Sequence, residues 1–235
     1  MNPTIFMTTL RQRFSSRTRL ILVGLVFIFP IAFSAMAHEV GLQAAKTGAV
    51  FAFLLGAGIL GQETSSGVMQ LLFARPVRRW EYVVSRWLGV VTAASALVVL
   101  QVGLMCLVLA SHGLPGWRDI AITLAEQVLQ AIGTTSVILL YSSLLSGVGD
   151  VLGIVLTAIA GQVFVALGQF RQSEAISRIG AEVLRFISPQ VQVGAIVGGN
   201  SIPWFELFSY ASTVTLCVAV AVIVLNRREI SYASE

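Results

Sequence analysis

Residues 88–111 read LGVVTAASALVVLQVGLMCLVLAS, a run without a single charged side chain. A helix rises about 1.5 Å per residue, so this run is long enough to cross a hydrocarbon core of about 30 Å. Similar runs, rich in Leu, Val, Ile, Ala and Gly, recur along the chain. Their continuity differs from the alternating pattern of membrane strands. The run therefore predicts a membrane-spanning helix.

The composition of the whole chain favours the same fold class. Of its 235 residues 56% are hydrophobic and only 11% are charged, and the mean hydropathy is +0.86. A soluble domain would carry about 25% charged residues. We therefore expect an all-α integral membrane protein with one transmembrane domain over residues 1–235. Six spans are predicted, at 20–37, 47–62, 88–111, 122–145, 151–169 and 205–225.

Two further helical regions are predicted outside the spans. Residues 1–19 carry four arginines and no acid among apolar residues, which is typical of an amphipathic helix on the membrane surface. In the external region 170–204, Glu174 precedes Arg178 by four residues, a favourable helical pairing, and Ser188-Pro189 would end the helix. This helix lies either on the outer membrane surface, before a re-entrant element, or within a solvated loop. Its apolar face consists of Ile176, Ile179, Val183, Leu184 and Ile187.

The distribution of basic residues predicts the topology. Ten lie on one side of the six predicted spans: Arg11, Arg13, Arg17, Arg19, Arg75, Arg78, Arg79, Arg86, Arg227 and Arg228. Five lie on the other: Lys46, Arg118, Arg171, Arg178 and Arg185. Cytoplasmic loops carry the excess of Lys and Arg, so both termini are predicted to be cytoplasmic, in an inner (plasma) membrane protein. The net charge of +4 follows this topology and does not indicate nucleic acid.

The first apolar run ends in Ala35-Met36-Ala37, which resembles a signal-peptidase site. Nineteen residues precede this run, an unusually long basic region for a signal peptide. We therefore expect an uncleaved membrane anchor.

The segment between the second and third predicted spans is the most informative polar stretch. Residues 58–89 read GILGQETSSGVMQLLFARPVRRWEYVVSRWLG. Gln62-Glu63 ends the span, and Thr64-Ser65-Ser66 favours the start of a short helix. Pro76 would stop that helix, and the basic and aromatic residues that follow suit the membrane interface. On chemistry alone, the short helix either docks onto a partner or holds lipid headgroups with its arginines.

That order of residues resembles the signature of ABC-2 type transporter permeases. The matching positions are Glu63, Gly67, Leu71, Leu72, Arg75, Pro76, Arg79, Glu81, Tyr82 and Arg86. The resemblance implies that 64–80, which includes Arg78, is a coupling helix that docks into a groove on a cytoplasmic ATPase. It also implies that residues 1–19 form an elbow helix and that a second permease subunit, an identical copy, completes the transporter.

The chain itself lacks a phosphate-binding loop. No Gly-x-x-x-x-Gly-Lys-[Ser/Thr] motif is present, and Lys46 is the only lysine. We therefore expect no catalytic, cofactor or metal site in this chain, with ATP and Mg on a separate ATPase subunit. The expected function is the membrane subunit of an exporter with an unidentified substrate. The alternative is a non-transporting mechanotransducer or assembly factor that acts on an external partner protein.

Three polar residues in the fourth predicted span are candidates for a substrate path: Glu126, Gln127 and Gln130. Polar side chains in spans usually face protein or a water-filled cavity, although these three could also lie in an external helical turn. His38 and His112, with Met36, could bind a soft metal, but ordinary interfacial histidines are favoured.

Overall fold

All regular secondary structure in the part of the chain that the structure describes is helical. The computed structural model describes residues 2–36, 42, 44–61, 78–110, 113, 115–145, 147, 149–198 and 204–227, and no strand occurs among them. The helices are α1 Pro3–Arg13, α2 Arg17–Met36, α3 Gly48–Gly56, α4 Arg79–Leu109, α5 Trp117–Leu144, α6 Gly149–Phe170, α7 Glu174–Ile187, α8 Val193–Val197 and α9 Trp204–Arg227.

Five of these helices, α2, α4, α5, α6 and α9, are long and apolar enough to cross a membrane. They coincide with five of the six predicted spans, and they make the chain a multi-pass membrane protein. Helix α4 begins at Arg79, so the basic and aromatic segment and the third predicted span form one continuous helix. Of His38, His112 and Met36, both histidines lie outside the described residues.

The second predicted span, 47–62, is the exception. Within it, α3 has nine residues and ends at Gly56, a length of about 13 Å, less than half of a hydrocarbon core. Residues 57–60 form a turn in which Gly58 has a φ of 69°, a left-handed conformation that favours glycine. The described residues therefore contain five helices of spanning length rather than six.

A buried glutamine joins α2, α3 and α4. Pro30 in α2 has no N–H, so the carbonyl of Val26 lacks its usual helical donor. The side-chain amide of Gln101 fills this position, donating to the carbonyl oxygens of Val26 (3.1 Å) and Phe27 (3.0 Å). Its own oxygen accepts the hydroxyl of Thr47, directly before α3. The break in one helix thereby positions the start of another.

Helices α6 and α7 form a close antiparallel hairpin. A Cβ placed on Gly168 would lie 2.4 Å from the backbone nitrogen of Ser177, and one on Gly180 would lie 2.6 Å from that of Val165. Only glycine permits backbones to approach this closely. The predicted Glu174–Arg178 pair is confirmed, at 2.6 Å, and α7 ends at Ile187, directly before the predicted Ser188-Pro189 break.

One end of the bundle gathers several elements that are far apart in sequence. The backbone nitrogen of Asn2 donates to Ser85 Oγ in α4 (3.0 Å), and that of Gly147, between α5 and α6, donates to the carbonyl of Gly61 (3.0 Å). This end, called the α1 end below, consists of α1, residues 57–61, the start of α4, the α5–α6 turn and the end of α9. Residues 62–77, which lie outside the described part, are flanked by it on both sides.

Candidate functional site

Only some of the ten predicted ATPase-coupling residues lie in the part of the chain that the structure describes. Six of the ten lie outside the described residues: Glu63, Gly67, Leu71, Leu72, Arg75 and Pro76. The other four, Arg78, Arg79, Glu81 and Tyr82, lie at the start of α4. Arg78 is extended and exposed, whereas Tyr82 is fully buried. The described part of the predicted coupling helix 64–80 is thus Arg78 and the first two residues of α4.

Arg79 fastens the start of α4 to the end of α9. Its Nη1 atom donates to the carbonyl oxygens of Leu225 (3.0 Å) and Asn226 (2.9 Å). The last carbonyls of a helix have no intrahelical donor, and a cation beside them also interacts favourably with the helix dipole. A motion of the start of α4 therefore moves the end of α9 with it.

Arg86, two turns further along α4, holds α1 in place. Its Nη1 atom donates to Oε1 of Gln12 in α1 (2.7 Å), and its guanidinium carbon lies 5.3 Å from the centre of the Tyr82 ring. Such a cation over an aromatic face is attractive, and more so where water is excluded. Together with the bond from Asn2 to Ser85, these contacts seat α1 on the first turns of α4.

The turn at residues 57–60, with Gly61 directly after it, forms the centre of the α1 end. Arg13, from α1, donates from Nη1 to the carbonyl of Ala57 (2.9 Å) and from Nη2 to that of Gly58 (3.3 Å). On the opposite side of the same peptide, Asp150 Oδ2 in α6 accepts from the nitrogen of Gly58 (2.7 Å). Non-helical backbone inside a membrane protein needs such partners, because no water is available to it in hydrocarbon.

The last two residues of this segment bind the end of α5. The Oγ atom of Ser142 accepts from the nitrogens of both Leu60 and Gly61, each at 2.9 Å. The carbonyl of Gly61 in turn accepts from the Gly147 nitrogen. We call Arg13, Ser142 and Asp150, with residues 57–61 between them, the clamp. It joins α1, α5 and α6 to the chain directly before residues 62–77.

The clamp places two opposite charges in the interior. Arg13 is 2% exposed and Asp150 is fully buried. An ion leaves water at a cost of several kcal/mol, so buried charges require nearby partners. The Asp150 carboxylate also accepts from the nitrogen of Val151 (2.8 Å) and lies in the first turn of α6, where the helix dipole favours a negative charge. Arg13 and Asp150 thus both form hydrogen bonds with the peptide group between Ala57 and Gly58.

The clamp is not evident from the sequence. The sequence predicts a surface helix for residues 1–19, which include Arg13, and no role for Asp150. The available signal was the spacing of Gly56, Gly58 and Gly61, which marks a weak helix end. The partners of that end lie 44 to 92 positions away in sequence, so no local pattern identifies them.

The three predicted substrate-path residues each hold a different segment against α5. Gln127 Oε1 accepts from the nitrogen of Gly48 at the start of α3, and Glu126 Oε1 accepts from that of Gly194 in α8, both at 3.0 Å. Gln130 Nε2 donates to Oγ of Ser188, also at 3.0 Å. The structure thus gives each of the three a positioning role within the bundle.

A scan against protein-family models finds no match, and a search of the curated proteins finds no similar sequence. The functional interpretation therefore depends on the residues and contacts of the chain itself.

Proposed function

We propose that this chain is the membrane permease subunit of an ATP-binding cassette exporter of the ABC-2 type. In this proposal the predicted coupling helix 64–80 docks onto a separate ATPase subunit that carries ATP and Mg, and a second copy of the chain completes the transporter. Export of a substrate is driven by hydrolysis on the ATPase, because this chain has no phosphate-binding loop.

The clamp is the observation that carries the proposal. Residues 57–61 lead directly into 62–77, and their backbone is bound by α1 through Arg13, by α5 through Ser142 and by α6 through Asp150. On the other side of 62–77, Arg79 binds the end of α9. A force applied to the docked segment would therefore reach α1 and four spans through hydrogen bonds, which suits a rigid-body mechanism.

The arrangement of the α1 end also supports six membrane crossings. The start of α4, the α5–α6 turn and the end of α9 lie together with α1, as an even number of crossings requires. In this topology α3 and the clamped residues 57–61 together form the second crossing. Broken helices of this kind are tolerated where protein surrounds them. The basic residues then place both termini in the cytoplasm.

Photo-crosslinking in cells tests the proposed docking. A photoactivatable amino acid at Leu71 or Leu72 is expected to form an adduct with a polypeptide that contains a phosphate-binding loop, identified by mass spectrometry. Charge reversal at Arg78, which is exposed, should reduce the yield of this adduct by about fivefold or more, because charge contacts at such a surface contribute to association.

Two matched controls accompany this experiment. Arg11→Glu changes an exposed arginine on α1, at the same end of the molecule, and should leave the adduct yield unchanged. The same probe at Leu107, 71% exposed on α4, should give no ATPase adduct. If the probes at 71 and 72 capture no nucleotide-binding protein, or if Arg11→Glu and Arg78→Glu act alike, the docking assignment is wrong.

A further inference from the structure

Two adjoining cavities flank Arg185, at the end of the bundle opposite α1. The larger, of about 540 Å³, opens between α6, α7 and the start of α9. Its polar lining consists of Gln162, Arg185, Ser188, Gln190, Gln192 and Glu206. The smaller, of about 150 Å³, shares Arg185 and Glu206 and adds Glu182 and the rings of Phe186 and Tyr210. We call the two together the Arg185 site.

Gln162 shows that this surface is not an ordinary lipid-facing one. It lies in α6, a helix of spanning length, yet its side chain is exposed between the exposed apolar residues Ile159 and Val163. An amide facing hydrocarbon is costly, and polar residues within spans usually face protein or a polar cavity. A polar group that enters the larger cavity would complete the hydrogen bonding of this amide, together with those of Gln190 and Gln192.

The charges of the site are mixed and accessible. Arg185 Nη2 lies 3.2 Å from Glu206 Oε1, and Arg185 Nη1 lies 3.9 Å from Glu182 Oε1. The side chains of Arg185 and Glu206 are 38% and 29% exposed, so a ligand can reach both. Two carboxylates beside one guanidinium leave an excess of negative charge. This excess favours a cationic group in a ligand, and the exposed Arg185 guanidinium can in addition bind an anionic group of the same ligand.

The cationic group has a defined place in the smaller cavity. Glu182 and Glu206 offer carboxylate oxygens there, and Phe186 and Tyr210 contribute aromatic rings. Carboxylates and aromatic faces are the usual partners of an ammonium group. An anionic group in the larger cavity would meet Arg185 and the glutamine amides, which are hydrogen-bond donors to phosphate oxygens.

Exposed apolar surface continues from the site along both neighbouring spans. Leu152, Leu156 and Ile159 of α6 are more than half exposed, at 61%, 64% and 54%. At the start of α9, Phe205 and Phe208 are 79% and 70% exposed. Acyl chains can lie on these surfaces while their headgroup occupies the cavities. This favours a lipid over a small soluble molecule of the same headgroup chemistry.

We propose that the Arg185 site binds the headgroup of a zwitterionic, amine-bearing phospholipid. The ammonium lies at Glu182 and Glu206, the phosphate at Arg185 and the glutamine amides, and the chains lie along α6 and α9. As a substrate site this assignment rests on the proposed permease function. As a binding site it stands apart from that function, because lipid binding requires no ATPase.

Native mass spectrometry of the purified chain in detergent tests the assignment without an ATPase. The probes are dioctanoyl phosphatidylethanolamine, dioctanoyl phosphatidylglycerol and free phosphoethanolamine. The ethanolamine lipid should bind about tenfold more tightly than the glycerol lipid, which lacks the ammonium, and also more tightly than free phosphoethanolamine. Glu206→Gln and, separately, Glu182→Gln should reduce this headgroup preference to about twofold or less, because each removes one carboxylate partner.

The Glu174–Arg178 pair, on the same helix, supplies the control. It is an exposed ion pair of the same type, and Arg178→Gln should leave the headgroup preference unchanged. Equal binding of the two lipids to the wild-type chain would overturn the assignment, even if every variant failed to fold. The assignment would also be overturned if the preference for the ethanolamine lipid over the glycerol lipid were unchanged in both Glu182→Gln and Glu206→Gln. Equal binding of free phosphoethanolamine and its lipid would overturn the assignment to a lipid.

Discussion

Replacing Arg13 by methionine should lower the free energy of unfolding by about 3–5 kcal/mol, as expected when one partner is removed from a buried charged group. Methionine fills much of the same volume but leaves the carbonyls of Ala57 and Gly58 without their Arg13 donors. It also leaves Asp150 as a buried charge with less compensation. Reversible unfolding in mixed micelles measures the change.

Arg11→Met is the matched control for this variant. Arg11 lies two positions earlier on α1 and is exposed, and surface substitutions usually change stability by less than about 0.5 kcal/mol. Arg13→Lys should fall between the two, because an ammonium lacks the planar fork that reaches two carbonyls at once. Equal effects at positions 11 and 13 would contradict the buried role assigned to Arg13.

Gly168→Ala should destabilise the protein by about 1–3 kcal/mol, the usual cost of overpacking. Its new Cβ would meet the backbone of Ser177, so α6 and α7 would have to separate, because a backbone atom has no rotamer through which to give way. Gly180→Ala should act similarly, against the backbone of Val165. Thermal unfolding of the purified chain, with the exposure of a cysteine introduced at Ser177, measures both effects.

Gly103→Ala, in α4, is expected not to destabilise the protein. Nothing in the described part of the chain lies within 4 Å of a Cβ at this position. Alanine in a helix interior is favoured over glycine by roughly 0.5–1 kcal/mol, so this variant should be neutral or slightly stabilised. If Gly168→Ala and Gly180→Ala stabilise the chain as Gly103→Ala does, then α6 and α7 do not approach each other as closely as described.

The spans that could be predicted from sequence are those whose helical pattern is local. Residues 88–111 contain no charge and no strong helix breaker, and α4 runs through them to Leu109. Helix α7 was also predictable, since its apolar spacing and the Ser188-Pro189 pair that ends it lie within α7 and the residues that follow it. In these cases the sequence periodicity and the tertiary packing agree.

The second predicted span shows why hydropathy alone is insufficient. Residues 47–62 are apolar enough to suggest one full helix, yet α3 ends at Gly56. The reason lies in tertiary contacts: Arg13, Asp150 and Ser142, from three other helices, supply hydrogen bonds to the backbone of residues 57–61. The role of Glu126 was equally hidden, because its partner, the nitrogen of Gly194, is 68 positions away.

In the proposed permease, the clamp links the ATPase-docking segment to the spans. ATP hydrolysis by the assembled complex in proteoliposomes tests this link, with the wild-type chain and with Asp150→Ala, which removes the acceptor of the Gly58 nitrogen. Asp119→Ala, at an exposed carboxylate of the opposite end, is the control. Adduct yield from a photoactivatable residue at position 72 verifies docking in each case.

Asp150→Ala should change the hydrolysis rate of the complex by at least about fivefold, toward that of the ATPase alone, while the adduct yield and the Asp119→Ala rate stay as in the wild type. Fivefold is the lower end of ordinary coupling between sites. An unchanged rate with an intact adduct would contradict the proposed link, because ATP hydrolysis by the docked ATPase would then be independent of the clamp.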